Sequence, residues 1–210
     1  MEREAWERRL PAGIAERSTM QTKEWRSRGY LPHWEAGEVA QSITFRLADS
    51  LPTVALEELE RQLRLLPPDE ISAERCMEFE RALDRGHGEA WLSDVRVAEI
   101  VEGAFLHLDG ERYRLHAWVV MPNHVHVVAT PLGKWTLASI THSWKSFTAT
   151  AANRLLSREG AFWAREYFDR AIRDDAHYAN AVRYVERNPE KAGLCAQPDQ
   201  WRFSSAWSNR

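Results

Sequence analysis

The chain has 210 residues, 44% of them hydrophobic, with ten tryptophans, two cysteines and a net charge of −3. That composition suits one globular domain with a sizeable core, and it excludes a disordered chain and a disulfide scaffold. No apolar run is long enough to span a bilayer, and the charged stretch Met1 to Arg9 lacks the apolar centre of a signal peptide, so a reducing cytoplasm is the expected location.

The charge is unevenly spread. Residues 1–50 carry eight basic and eight acidic side chains, residues 51–110 six basic and fourteen acidic, and residues 111–210 fourteen basic and nine acidic. The last segment is positive enough to meet phosphates, although scattered arginines also serve simply to solvate helix faces.

Residues 1–36 show little periodicity and read as an N-terminal arm with at most a short helix, leaving 37–210 as a single domain. Within the arm, Gly29-Tyr30-Leu31-Pro32-His33-Trp34 reads as an extended segment that lays aromatic side chains on a surface. Val39 to Leu47 alternates, with Ile43, Phe45 and Leu47 on one face, and predicts the first strand. Leu56, Leu59, Leu63 and Leu66 mark a helix stopped by Pro67-Pro68, and Asp69 to Arg85 a second, charged one. His87, between two glycines, reads as a turn residue. Asp94 to Leu108 follows as a helix with Val97, Ile100, Val101, Ala104, Phe105 and Leu108 inward.

Tyr113 to Val120 and His124 to Thr130 read as two strands joined through Pro122-Asn123. Successive strand residues face opposite ways, so His124 and His126 share one face and Val125 and Val127 the other. Two imidazoles aimed alike are half of a metal site, and a hard divalent cation needs at least one further ligand from elsewhere. The same His-x-His also serves as an ordinary polar face. His107 and His116 read as packing or surface residues.

Trp135 to Leu156 predicts a long amphipathic helix with Ile140, Trp144, Phe147, Ala151 and Leu155 as its stripe; Lys145, on another face, reaches phosphate or snorkels. Phe162-Trp163 and Tyr167 to Ile172 give a short aromatic strand, and Asp174 caps a last helix that halts at Pro189. An irregular tail with Trp201 and Trp207 packs back on the body. Strand, helices, strand, strand, helix, strand is the order of a ferredoxin-like split βαββαβ sheet, α+β in class. Its helices cover one face, the histidine strand is central, and a C-terminal helix is added.

On that last helix Tyr178, Val182 and Val185 form the apolar stripe, while Tyr184 shares a neighbouring face with His177, Ala181 and Asn188. The i, i+4 spacing sets the Tyr184 phenol beside the Asn188 amide, whose oxygen is a hard ligand able to complete a site begun by His124 and His126. Asn before proline at a helix end is also common for conformational reasons alone.

Three stretches together resemble a known family: Met121-Pro122-Asn123-His124-Val125-His126; Phe168-Asp169-Arg170-Ala171-Ile172-Arg173-Asp174; and Tyr184 followed by Asn188-Pro189 and Lys191-Ala192-Gly193-Leu194. The chain resembles the REP-associated tyrosine transposases, in the single-tyrosine HUH endonuclease superfamily, from about Gly29 to Trp201. The resemblance implies that His124 and His126 are metal ligands, Asn188 the third ligand and Tyr184 the nucleophile. It also implies Mg²⁺ or Mn²⁺, and single-stranded or hairpin-forming repeat DNA as substrate. A covalent 5′-phosphotyrosine would then carry DNA transposition near the nucleoid, by a monomer or homodimer. Lys145, Arg165, Arg170, Arg173, Arg183 and Arg187 are the expected phosphate contacts, and Trp163 or Trp34 a stacking platform. The alternatives are an idle DNA-binding module that recognises the same repeats, and a small-substrate metal hydrolase. The hydrolase would want a further acidic ligand where Val128 stands.

Overall fold

The structure, a computed structural model, describes residues 24–27, 32–35, 37–51, 61, 82–83, 86 and 88–208. Apart from residues 61 and 82–83, the two helices expected between Leu56 and Arg85 lie outside the described residues, as do the turn at His87 and most of the arm. Within the arm, the strands β1 (Glu24–Ser27) and β2 (Pro32–Glu35) pair antiparallel with Trp25 opposite Trp34; β2 begins in the stretch read as extended, whereas β1 stands where the sequence predicts at most a short helix.

The body is a four-stranded antiparallel sheet of β3 (Gln41–Arg46), β4 (Tyr113–Val120), β5 (His124–Pro131) and β6 (Phe168–Ala171), in the spatial order β4-β5-β3-β6. That is the expected split βαββαβ arrangement, and β5 is central. Among the described residues three α-helices accompany it: α1 (Val95–His107), α2 (Leu137–Leu155) and α3 (Asp175–Lys191).

Alternation along the strands divides the interior into two layers. Ile43, Phe45 and Leu47 of the first strand join Val125 and Val127 of β5 beneath α1 and α2, with Val97, Val101, Phe105, Ile140 and Trp144 closing the layer. Aromatic edges lock it. Phe45 meets Trp163 at 4.8 Å between ring centroids and Phe105 meets Trp144 at 5.1 Å, while Trp144 Nε1 donates to the Tyr113 hydroxyl at 2.9 Å. Trp163 is therefore a core residue, its Nε1 donating to Thr148 Oγ1. The opposite face of the sheet carries Ala117, Val119 and Val128, and α3 covers it with Tyr178 and Val185.

Helix ends follow local chemistry. The Asp94 carboxylate accepts from Arg96 N at the start of α1, and Thr136 and Ser139 cap α2 reciprocally. Two details differ from the sequence reading. Phe147 lies 60% exposed, because the α2 stripe continues from Trp144 to Thr148, whose hydroxyl is satisfied by the Trp144 carbonyl at 2.6 Å. Helix α3 also runs through Pro189 to Lys191. A proline there forfeits one backbone bond, and the helix closes one turn later where Gly193 (φ 71°) lets Gly193 N reach Glu190 O and Leu194 N reach Pro189 O.

The tail packs back as expected. Val120 N donates to Phe203 O and Ser205 N to Trp118 O, which covers the free edge of β4, while Trp201 Nε1 donates to Val120 O.

Candidate metal and tyrosine site

The register of the central strands builds the site. Thr44 stands opposite His126 and Arg46 opposite His124, so these four side chains share the sheet face that α3 covers. His124 and His126 are both enclosed, 0% and 1% exposed, and their Nε2 atoms lie 2.9 Å apart. Each ring is anchored at its other nitrogen: His124 Nδ1 by Asn123 Oδ1 at 2.7 Å, and His126 Nδ1 by Thr44 Oγ1 at 2.8 Å. Burial holds both imidazoles neutral at pH 7. It takes His126 down to about 3, helped by the charge of Lys191, and takes His124 well below the usual range, helped by His126.

Two metal bonds of about 2.0–2.1 Å at a right angle would set their donor nitrogens about 3 Å apart. The observed Nε2 separation fits that spacing. The Nδ1 anchors also match the arrangement by which metal-binding histidines are held in register.

Helix α3 brings the remaining groups. The half-buried Tyr184 ring stands edge-on to His126, with centroids 5.5 Å apart. The Lys191 ammonium lies over the same Tyr184 ring, 4.3 Å from its centroid. One turn beyond Tyr184, Asn188 is completely buried, and neither its amide oxygen nor its amide nitrogen has a hydrogen-bond partner among the described residues. The amide oxygen of such a carboxamide is a hard donor of the kind a divalent cation takes. Among the described residues no three His, Cys, Asp or Glu side chains gather, so a cation here would rest on two imidazoles and an amide.

Other residues singled out by sequence fall elsewhere. His177 opens α3 two turns before Tyr184, its Nδ1 bonded to the backbone N of Arg173 at 3.3 Å. Tyr178 is core, its ring edge-on to that of His116 at 5.2 Å. Lys145 donates to the carbonyls of Ala164 and Arg165 at 2.7 and 2.8 Å, tying the loop before β6 to α2 rather than facing outward. Arg165, Arg170, Arg173, Arg183 and Arg187 are exposed, and Arg187 pairs with Glu190 at 2.8 Å. Thr44, Asn123 and Lys191 enter the site without having been assigned a role from sequence. Only Lys191, two turns beyond Tyr184 on its helix, left a spacing signal.

Residues 95–188, which include His124, His126, Tyr184 and Asn188, match the family described as "Transposase IS200 like". The REP-associated tyrosine transposase of Escherichia coli (strain K12) is 28% identical over 95 residues, 44% of this chain and 54% of that protein; the chain thus spans about half the length of the curated relative it matches. A solved structure of a REP-associated tyrosine transposase bound to a REP hairpin superimposes with a TM-score of 0.53 at 18% identity, over 87% of this chain and 82% of that one, and so shares the fold. Residues 95–188 of this chain are thus similar to the IS200-like transposases, and the chain shares the fold of the hairpin-bound structure.

Proposed function

We propose that the protein is a metal-dependent single-strand DNA endonuclease and strand transferase that acts on hairpin-forming repeat DNA through a covalent 5′-phosphotyrosine. The observation that carries this reading is the Tyr184 ring seated against His126, beside a second imidazole, one helical turn from an enclosed amide with no partner among the described residues. His124, His126 and Asn188 would hold Mg²⁺ or Mn²⁺, which when bound neutralises charge on the phosphoryl oxygens and orients the phosphate.

The chain's own residues supply the rest. The Tyr184 oxygen attacks phosphorus, a Tyr184 O–P bond forms, and the P–O3′ bond breaks; the phenolic proton goes to water and the departing 3′ oxygen leaves as a hydroxyl. Lys191 sets a positive charge against the phenol ring, where it favours the oxyanion that attacks and later leaves. The phosphodiester energy is kept in the tyrosyl link, so attack by another 3′-hydroxyl rejoins DNA. A half-buried phenol beside enclosed histidines calls for an unpaired strand, because a stacked duplex hides its phosphates from such a pocket. The REP hairpin in the fold neighbour and the family match support a hairpin substrate. The exposed arginines are the proposed phosphate contacts, and the protein would act at the nucleoid.

The test is strand cleavage of a single-stranded hairpin oligonucleotide with Mn²⁺. Wild type nicks it, and Tyr184→Phe loses at least about a thousandfold in rate, as expected when a nucleophile is removed. Nicking by the variant at the wild-type rate removes the assignment, and no nicking by either protein leaves a module that only binds.

A further inference from the structure

Resting on the metal reading above, we infer that Thr44 is a tautomer switch for the paired histidines. Its hydroxyl donates to His126 while the two rings bond each other, and accepts from His126 when a divalent ion stands between them.

Asn123 fixes the first ring. Its Nδ2 donates to Leu83 O at 3.1 Å, which turns Oδ1 toward His124 Nδ1. A carbonyl oxygen only accepts, so His124 Nδ1 carries the hydrogen. A neutral imidazole has one such hydrogen, and His124 Nε2 is therefore a bare acceptor. His126 Nε2 faces it at 2.9 Å. Two bare lone pairs at that distance repel, so with no ion between the rings His126 keeps its hydrogen on Nε2 and donates it. His126 Nδ1 is then bare, and the Thr44 hydroxyl donates to it at 2.8 Å.

A bound ion reverses this. Both Nε2 atoms must present lone pairs, so the His126 hydrogen leaves Nε2 and one arrives at Nδ1 by exchange with water. The rings stay neutral and the hydrogen count is unchanged. Thr44 must now accept. A hydroxyl does both, whereas a carboxylate only accepts and an alkyl group does neither. Water cannot stand in, because Thr44 is 4% and His126 1% exposed. Thr44 is thus a positioning residue, placed opposite His126 by the β3–β5 register.

The experiment uses full-length protein labelled with ¹⁵N-histidine. Imidazole ¹⁵N shifts are read before and after Mg²⁺, and Mn²⁺ affinity is read for wild type, Thr44→Val and Thr44→Ser. Chelator-treated wild type should show His126 protonated on Nε2, moving to Nδ1 with Mg²⁺, while His124 stays protonated on Nδ1. Thr44→Val should bind Mn²⁺ about ten- to a hundredfold more weakly, with Thr44→Ser restoring affinity. If Thr44→Val fails to fold, the wild-type tautomers with and without Mg²⁺ decide alone. His126 protonated on Nδ1 in both states, or Thr44→Val binding Mn²⁺ as tightly as wild type, overturns the switch. A wild type that binds no Mn²⁺ overturns the metal site and the switch together.

Discussion

Asn188 sits in an interior where each polar atom ordinarily finds a partner, yet both of its amide atoms lack one among the described residues. An enclosed amide of that kind opposes folding by about 1–3 kcal/mol, so it contributes little stability of its own. Asn188→Ala should therefore not lower the unfolding free energy in chelator, because the lost side chain had no bonds to give up and its uncompensated desolvation goes with it. Val185, equally buried on the same helix, gives the contrast. Val185→Ala removes two methyl groups from a packed layer and should cost about 2 kcal/mol. Denaturant titration in EDTA checks both, and Mn²⁺ binding should be lost only in Asn188→Ala. Equal destabilisation by the two variants would make Asn188 an ordinary packing residue. Lys145 invites the opposite expectation from the exposed arginines: with its ammonium held by two carbonyls, Lys145→Ala should lower stability rather than DNA affinity.

At the scale of elements, α3 rests on a bed that includes His116 at the β4 bulge, whose Nε2 meets Thr130 Oγ1 at 2.8 Å beneath Tyr178. Burial, with the charge of Arg114 added, lowers His116 to about 4. The folded value lies below the unfolded one of about 6.5, so the unfolded chain takes up the proton first. Stability is full above about pH 6.5 and falls as pH drops toward 4, by about 1.4 kcal/mol per pH unit for each such histidine. His124 and His126 add to the same acid limb. His116→Gln keeps a partner for Thr130 and should flatten the pH dependence by that single-proton slope; parallel wild-type and variant curves would contradict it. The helices were legible in the sequence because their stripes are local: Val97, Val101, Ala104 and Phe105 all turned inward. Phe147 was misread because two continuations from Trp144 differ only by how a helix drifts, and the inward one runs through Thr148, whose hydroxyl the Trp144 carbonyl satisfies. The pairing of β3 with β5 joins residues about eighty positions apart, and nothing local encodes that register. Thr44 was invisible for that reason, whereas His124, His126, Tyr184 and Asn188 announced themselves by spacing within single elements.

Across the whole molecule, charge is divided so that residues 111–210, with fourteen basic and nine acidic side chains, hold the site as well. If about four of the exposed arginines meet single-strand phosphates, log affinity should fall with log salt at a slope of about −3. Arg170→Ala with Arg173→Ala should make that slope shallower by about 1.4, measured by fluorescence anisotropy over a salt series. An unchanged slope would remove both from the contact surface. The central claim, that the Tyr184 phenol beside two histidines and an amide becomes covalently joined to DNA, has a direct measurement. The protein is incubated with a single-stranded hairpin oligonucleotide and Mn²⁺, denatured, digested with nuclease and protease, and sequenced by mass spectrometry. The account predicts a nucleotide linked through its 5′ phosphate to Tyr184; an adduct at any other residue, or cleaved DNA with no adduct at all, would contradict it.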